Sequence, residues 1–340
     1  MALKPWYKVI NPLEDLREGK SLVASEFAVH LDQIRDQSGH EDYTRPDRFF
    51  NSTYLTEGLI SLASEVLRRL SGDISRNAVF NMATQFGGGK THALALLYHL
   101  ASNGPEANGF MGVNKILERA GLASVPTAAT AVFVGTEFDS ISGRGRDGEP
   151  IRKTPWGEIA FQLAGEQGFQ IMKEHDTQLV APGGDVIRAL LPTDRPCLIL
   201  MDELMNYVSR FRKLGLSDQL YNFIHNLSIV ASGMSNVVVA ISIPTSVLEM
   251  ASAPEDQMDF DRYKKVLDRV GKPVILSSDA DISEIIRRRL FEWEKLSPDG
   301  HVILDQDAIK TCRAYADWTR EHKLQIPAWF DVDHAEEPGG

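Results

Sequence analysis

The stretch Asn81-Met-Ala-Thr-Gln-Phe-Gly-Gly-Gly-Lys-Thr-His92 restricts this chain more than any other. Residues 78–82 have the short apolar pattern of a buried strand, and residues 91–100 carry apolar side chains at helical spacing. Strand, glycine-rich turn and helix start together form the context of a phosphate-binding loop. Gly87, Gly88 and Gly89 let the backbone curl so that its N–H groups converge on phosphate oxygens. Lys90 can then reach the β- and γ-phosphates of ATP, and the Thr91 hydroxyl can ligate Mg²⁺. The start of the helix adds partial positive charge at the same place. Thr84, Gln85, Phe86 and His92 complete the expected nucleotide-contacting set. The common form of such loops has glycine where Thr84 stands, which alters the first turn and spares the phosphate-facing half.

A second signal is Pro196-Cys-Leu-Ile-Leu-Met-Asp-Glu203. Its apolar run places Asp202 at the carboxyl end of a buried strand, where open α/β sheets bind ligands. Asp202 is expected to hold Mg²⁺ through water, and Glu203 to orient or deprotonate an attacking water. A strand ending in a solvated acidic turn is the plainer reading of the same residues. Another apolar strand, residues 236–243, ends near Ser242, which can sense the γ-phosphate or position the water. A small serine that merely closes the strand fits equally. Residues 261–270 form a helix that stops just before a final strand, and Arg269 at its end can act on the nucleotide of a neighbouring subunit. Arg262 stands behind it as the next candidate, and an exposed helix arginine is the alternative for both. Arg287, Arg288 and Arg289 spread around a helix axis, so no more than two can face one ligand.

The strand candidates are residues 78–82, 129–135, 197–201, 236–243 and 273–276, and helical patterns separate them. This alternation predicts an α/β fold: a parallel five-stranded sheet of the P-loop NTPase kind with helices on both faces. The expected organisation is an N-terminal helical segment over 1–75, a core over 76–278, a small, incomplete helical lid over 279–330 and an unstructured tail over 331–340. Residues 142–153 form the most flexible-looking loop, and Arg144, Arg146, Arg152 and Lys153 there suit solvent, a nucleic acid or a neighbouring subunit.

The net charge of −11 argues against non-specific coating of nucleic acid, yet leaves room for a local basic channel. Two distant cysteines, Cys197 and Cys312, offer neither a disulfide framework nor zinc-ligand spacing. With no signal-like apolar segment and no run of membrane-spanning length, the expectation is a cytoplasmic protein with no membrane partner.

The order of these parts resembles the AAA+ ATPases. More specifically, the chain is similar to a bacterial ATPase family catalogued as domain of unknown function 499. The likeness rests on Lys4-Pro-Trp-Tyr-Lys-Val9, Asp15-Leu-Arg-Glu-Gly19, Ser25-Glu-Phe-Ala-Val-His-Leu-Asp32, Thr84-Gln-Phe-Gly-Gly-Gly-Lys-Thr-His92 and Ile286-Arg-Arg-Arg-Leu-Phe291. The resemblance implies a large ATPase, which, with Thr91 and Asp202 as Mg²⁺ ligands and Arg269 acting between subunits, is expected to depend on Mg²⁺ and to form a homo-oligomer. It also implies a setting beside DNA methyltransferase and helicase partner proteins in phage-defence islands, where direct nucleic-acid contact is open. Relatives of this kind are much longer, so a truncated, split or fragmentary form is expected. Three readings stand: ATP hydrolase, ATP-binding regulatory module with little turnover, and small-molecule or nucleotide kinase. The Asp202-Glu203 pair suits an attacking water and favours the first.

Overall fold

Strands β1 (Val79–Met82), β2 (Ala129–Val134), β3 (Cys197–Asp202), β4 (Val237–Ser242) and β5 (Lys272–Pro273) form one sheet, all pairs parallel, in the order β2-β3-β4-β1-β5. The computed structural model describes residues 8–18, 29–82, 89–244, 254–276, 279–295 and 302–325. The chain divides into two units. The larger comprises Val29–Asp47 and Glu57–Leu276, and the smaller comprises Met1–Ala28, Arg48–Thr56 and Ser277–Gly340.

The strands β1, β3 and β4 are buried along their whole length. Near-continuous apolar strands of this kind demand cover on both faces, and parallel connections supply it with helices. In the larger unit these are α1 (Leu31–Asp36), α2 (Glu57–Leu70), α3 (Lys90–Asn103), α4 (Val113–Ala120), α5 (Pro155–Gln178), α6 (Gly184–Leu190), α7 (Leu204–Phe211), α8 (Leu216–Gly233) and α9 (Pro254–Val270). Alternate strand residues point to opposite faces. Val79, Phe133, Ile199, Met201, Val239 and Ile241 share one core with Trp156, Tyr207, Phe223 and Tyr263 of α5, α7, α8 and α9. Helices α2 and α3 pack on the sheet as well, α2 on β4 and α3 on β2, β3 and β4.

The expected five-stranded parallel sheet is present, with local differences. The edge strand β5 covers only Lys272–Pro273 instead of 273–276, although the Val274 N–H still donates to the Asn81 carbonyl at 3.1 Å. Helix α5 runs beyond residue 165, but its backbone leaves the helical region at Ala164 and Gly165. The two halves fold against each other there: a Cβ on Gly168 would lie 2.3 Å from the Ala160 carbonyl oxygen. Helices α4 and α7 were not anticipated from sequence, although Val113, Ile116, Leu117 and Ala120 of α4 are buried at helical spacing.

Residues 142–153 are not a free basic loop. Arg152 is 4% exposed, donates to Glu158 at 2.9 Å and to Glu149 at 2.8 Å, and lies 4.0 Å over the Phe161 ring. Arg144 donates to Asp32 at 2.7 Å and exchanges backbone hydrogen bonds with Arg152. These cations neutralise carboxylates beside β2, an edge strand. Its edge is closed further by the Gln162 amide, which bonds both the N–H and the carbonyl of Val132, at 2.7 and 2.8 Å, as a neighbouring strand would.

The smaller unit contains α10 (Asp279–Leu290) and α11 (Gln306–Glu321), the latter capped by the Asp305 side chain on the Ala308 N–H. Glu284 is buried and takes Arg287 at 2.7 Å and Arg288 at 3.4 Å, while Arg288 also donates to the Thr53 carbonyl. Among the described residues, no helix is long and apolar enough to cross a membrane.

Candidate functional site

Helix connections leave the adjacent strands β1 and β4 in opposite directions along the sheet: β1 leads toward β2 at one edge and β4 toward β5 at the other. Such a switch point opens a crevice at the carboxyl ends of the strands. Met82 and Ser242 are register partners there, and β3 lies on the other side of β4. Gly89, whose φ of +75° only glycine adopts without strain, precedes α3, which begins at Lys90.

Asp202 is the centre of the site. It is 3% exposed and accepts hydrogen bonds from the Ser242 hydroxyl, the Thr91 hydroxyl and, at 3.0 Å, the Glu203 N–H. The Glu203 N–H also approaches the Ser242 oxygen, at 3.3 Å. Burial raises the Asp202 pKa above the usual carboxylate value, the donated hydroxyls of Ser242 and Thr91 oppose that rise, and the Glu203 charge adds to it. Two neighbouring oxygens, a carboxylate and a threonine hydroxyl, are hard donors of the kind Mg²⁺ takes when waters and phosphates fill its other positions. Among the described residues, no group of three or more His, Cys, Asp or Glu could hold a metal by protein ligands alone. The donor set therefore fits a partly hydrated Mg²⁺ and not a closed metal cage.

Glu203 is exposed and occupies the left-handed region, with φ +51° and ψ +38°, at the start of α7. This is costly for a residue with a Cβ and is held by the surrounding backbone. The Gly135 N–H donates to the Asp202 carbonyl at 2.9 Å, and a Cβ on Gly135 would lie only 2.3 Å from the Glu203 carbonyl oxygen. Arg210 of α7 donates to the Thr136 carbonyl at 2.7 Å, tying the helix that Glu203 starts to the turn after β2.

Of the residues expected from sequence, Thr91, Asp202, Glu203 and Ser242 meet at this edge. Lys90 and His92 stand half-buried in the same first turn of α3. Thr84, Gln85, Phe86, Gly87 and Gly88 lie outside the described residues. Arg269 and Arg262 are elsewhere: α9 carries the chain back from β4 to the start of β5, so its last turn is at the opposite edge of the sheet. Arg269 donates to the His225 ring at 2.9 Å, and Arg262 pairs with Asp218 and lies 4.0 Å over the Tyr221 ring. Gly135 and Arg210 were not singled out from sequence. A glycine directly after the apolar run of β2 was the available signal, since glycine at a strand end often marks a close backbone approach.

The model of the DUF499 N-terminal domain matches residues 13–276 of this chain. A comparison with curated proteins finds no match.

Proposed function

The chain belongs to the DUF499 family, and on that premise we propose that it is a P-loop ATPase of the AAA+ kind that binds Mg·ATP and hydrolyses its terminal phosphate. The observation that carries this reading is the hydrogen-bonded meeting of Thr91, Asp202 and Ser242 at the carboxyl ends of adjacent parallel strands. It brings a residue of the glycine-loop motif to the acid that closes another strand. Two motifs far apart in sequence converge on one point, as nucleotide and metal binding require.

In this reading Gly87, Gly88, Gly89 and Lys90 bind the phosphates, with Thr84, Gln85, Phe86 and His92 around them. Thr91 and Asp202 hold Mg²⁺, which when bound offsets charge on the β- and γ-phosphates. Glu203 accepts a proton from the attacking water, and the Ser242 hydroxyl holds the Asp202–Glu203 corner in place. Arg269 acts on the nucleotide of a neighbouring subunit, so turnover depends on homo-oligomer formation. We place the protein in the cytoplasm, in a DNA-modification or phage-defence assembly with methyltransferase or helicase partners; that setting rests on family resemblance alone.

The test is phosphate release from Mg·ATP over a range of protein concentrations, for the native chain, Glu203→Gln and Lys90→Ala. Turnover per chain that rises with concentration and vanishes in both variants supports the hydrolase. No turnover, with ATP binding lost only in Lys90→Ala, makes the protein a nucleotide-gated module instead.

A further inference from the structure

Asn81 is the polar exception in β1, the strand that feeds the glycine loop, and its side chain is wholly buried. Its amide nitrogen donates to Asp268 Oδ1 at 3.1 Å. An ionised carboxylate only accepts, so the NH₂ group must face Asp268. That choice leaves Asn81 Oδ1 buried and without a hydrogen-bond partner among the described residues. A leucine of similar size would fill the same space and leave no orphan acceptor, so packing does not explain an asparagine here.

What Asn81 touches does explain it. Asp268 is the residue just before Arg269 and also accepts from Lys264 one turn earlier. On the far side of Arg269, a Cβ at Gly271 would stand 3.4 Å from the Asn81 Cβ, and the Val274 N–H donates to the Asn81 carbonyl at 3.1 Å. One residue of β1 therefore fixes the chain both before and after Arg269, while the Arg269 guanidinium rests on His225.

We infer that Asn81 is a positioning residue for Arg269, setting the aim of that arginine toward the neighbouring subunit from the strand that carries its own subunit's glycine loop. The inference rests on the reading above, in which Arg269 acts across a subunit boundary.

Mixing variants separates the two ideas. An Arg269→Ala chain keeps its own site and offers no arginine; a Glu203→Gln chain has a dead site and offers Arg269. Mixed together, they regain ATP turnover if Arg269 acts across subunits. Adding Asn81→Leu to the Glu203→Gln chain is expected to cut that regained turnover at least tenfold, through kcat with KM unchanged. Adding it to the Arg269→Ala chain is expected to leave the regained turnover intact. Asp268→Ala, which leaves β1 whole, should reproduce the loss in the arginine-offering chain. Turnover untouched by Asn81→Leu in that chain overturns the inference alone, as does a loss only when it sits in the Arg269→Ala chain. No regained turnover from the two parent variants overturns the cross-subunit role of Arg269, and this inference with it.

Discussion

The hydroxyl of Ser242, closing β4, donates to the carboxylate of Asp202, closing β3, and its oxygen lies 3.3 Å from the Glu203 N–H. One serine thus touches the expected metal ligand and the backbone of the expected base. A hydrogen bond given to an ionised carboxylate favours that form, so Ser242 works against the burial that raises the Asp202 pKa.

Ser242→Ala should therefore move the acid side of the pH–activity profile upward. Asp202 must be ionised to hold Mg²⁺, and without the hydroxyl it protonates at higher pH. The fold-loss in ATP turnover is expected to be larger at pH 6 than at pH 8, measured at saturating Mg·ATP. An equal loss at both pH values would mean that Ser242 acts on the water or phosphate and not through Asp202.

Gly135→Ala should disable the site with little effect on ATP binding. The added Cβ would meet the Glu203 carbonyl oxygen at 2.3 Å and the Tyr207 Cβ at 3.2 Å. Backbone gives way less readily than a side-chain end, so Glu203 must leave its left-handed conformation. The expected outcome is a fall of about tenfold or more in kcat and a stability loss of about 1–3 kcal/mol. Denaturation and steady-state kinetics read the two effects separately. Unchanged kcat would show that the Glu203 backbone tolerates the shift.

How far the sequence could be read depended on how local each signal was. The glycine-rich motif and the Asp202-Glu203 corner are contiguous patterns, and each adjoins a buried strand whose apolar run is visible on its own. Helix α7 was missed because Leu204 follows the acidic pair at once, and Glu203 enters it in a left-handed conformation that no cap residue announces. The basic character of residues 142–153 misled for a different reason: Asp32, which binds Arg144, is far away in the chain. The Asn81–Asp268 bond likewise joins strand and helix ends across most of the sheet-forming sequence. Sequence periodicity shows which face is buried, but it does not show which buried polar groups find each other.

Arg69 lies at one such meeting point. It is 2% exposed, and its guanidinium donates to the carbonyls of Ile74 and Arg76 after α2, and of Ala231, Ser232 and Met234 at the end of α8. Its planar fork satisfies carbonyls that a helix end leaves unpaired. Arg69→Met should cost about 2–4 kcal/mol, because the buried Ala231 carbonyl and four partly buried ones lose a charged donor together. Lysine should rescue little of it, since one ammonium cannot span the same set. Chemical denaturation checks both variants, and a loss within about 0.5 kcal/mol of the native chain would show that water replaces the guanidinium.

His99 in α3 predicts an acid weakness of the fold. It is 1% exposed, its Nε2 lies 2.8 Å from the Tyr43 carbonyl oxygen, and burial pushes its pKa down to about 4. The carbonyl can only accept, so Nε2 carries the proton and the neutral ring satisfies the contact. In the unfolded chain the ring titrates at its ordinary value of 6.5. Between pH 6.5 and 4 the unfolded chain takes up a proton that the folded chain refuses, so stability present above pH 6.5 is lost as the pH falls toward 4. Across the whole window the loss amounts to roughly 3 kcal/mol. His99→Gln retains an N–H for Tyr43 and removes the titration, so its stability should fall less between pH 7 and pH 4.5 than that of the native chain. Urea titrations of both chains at those two pH values make the comparison. Parallel losses would assign the acid sensitivity to other groups and leave His99 a purely packed residue.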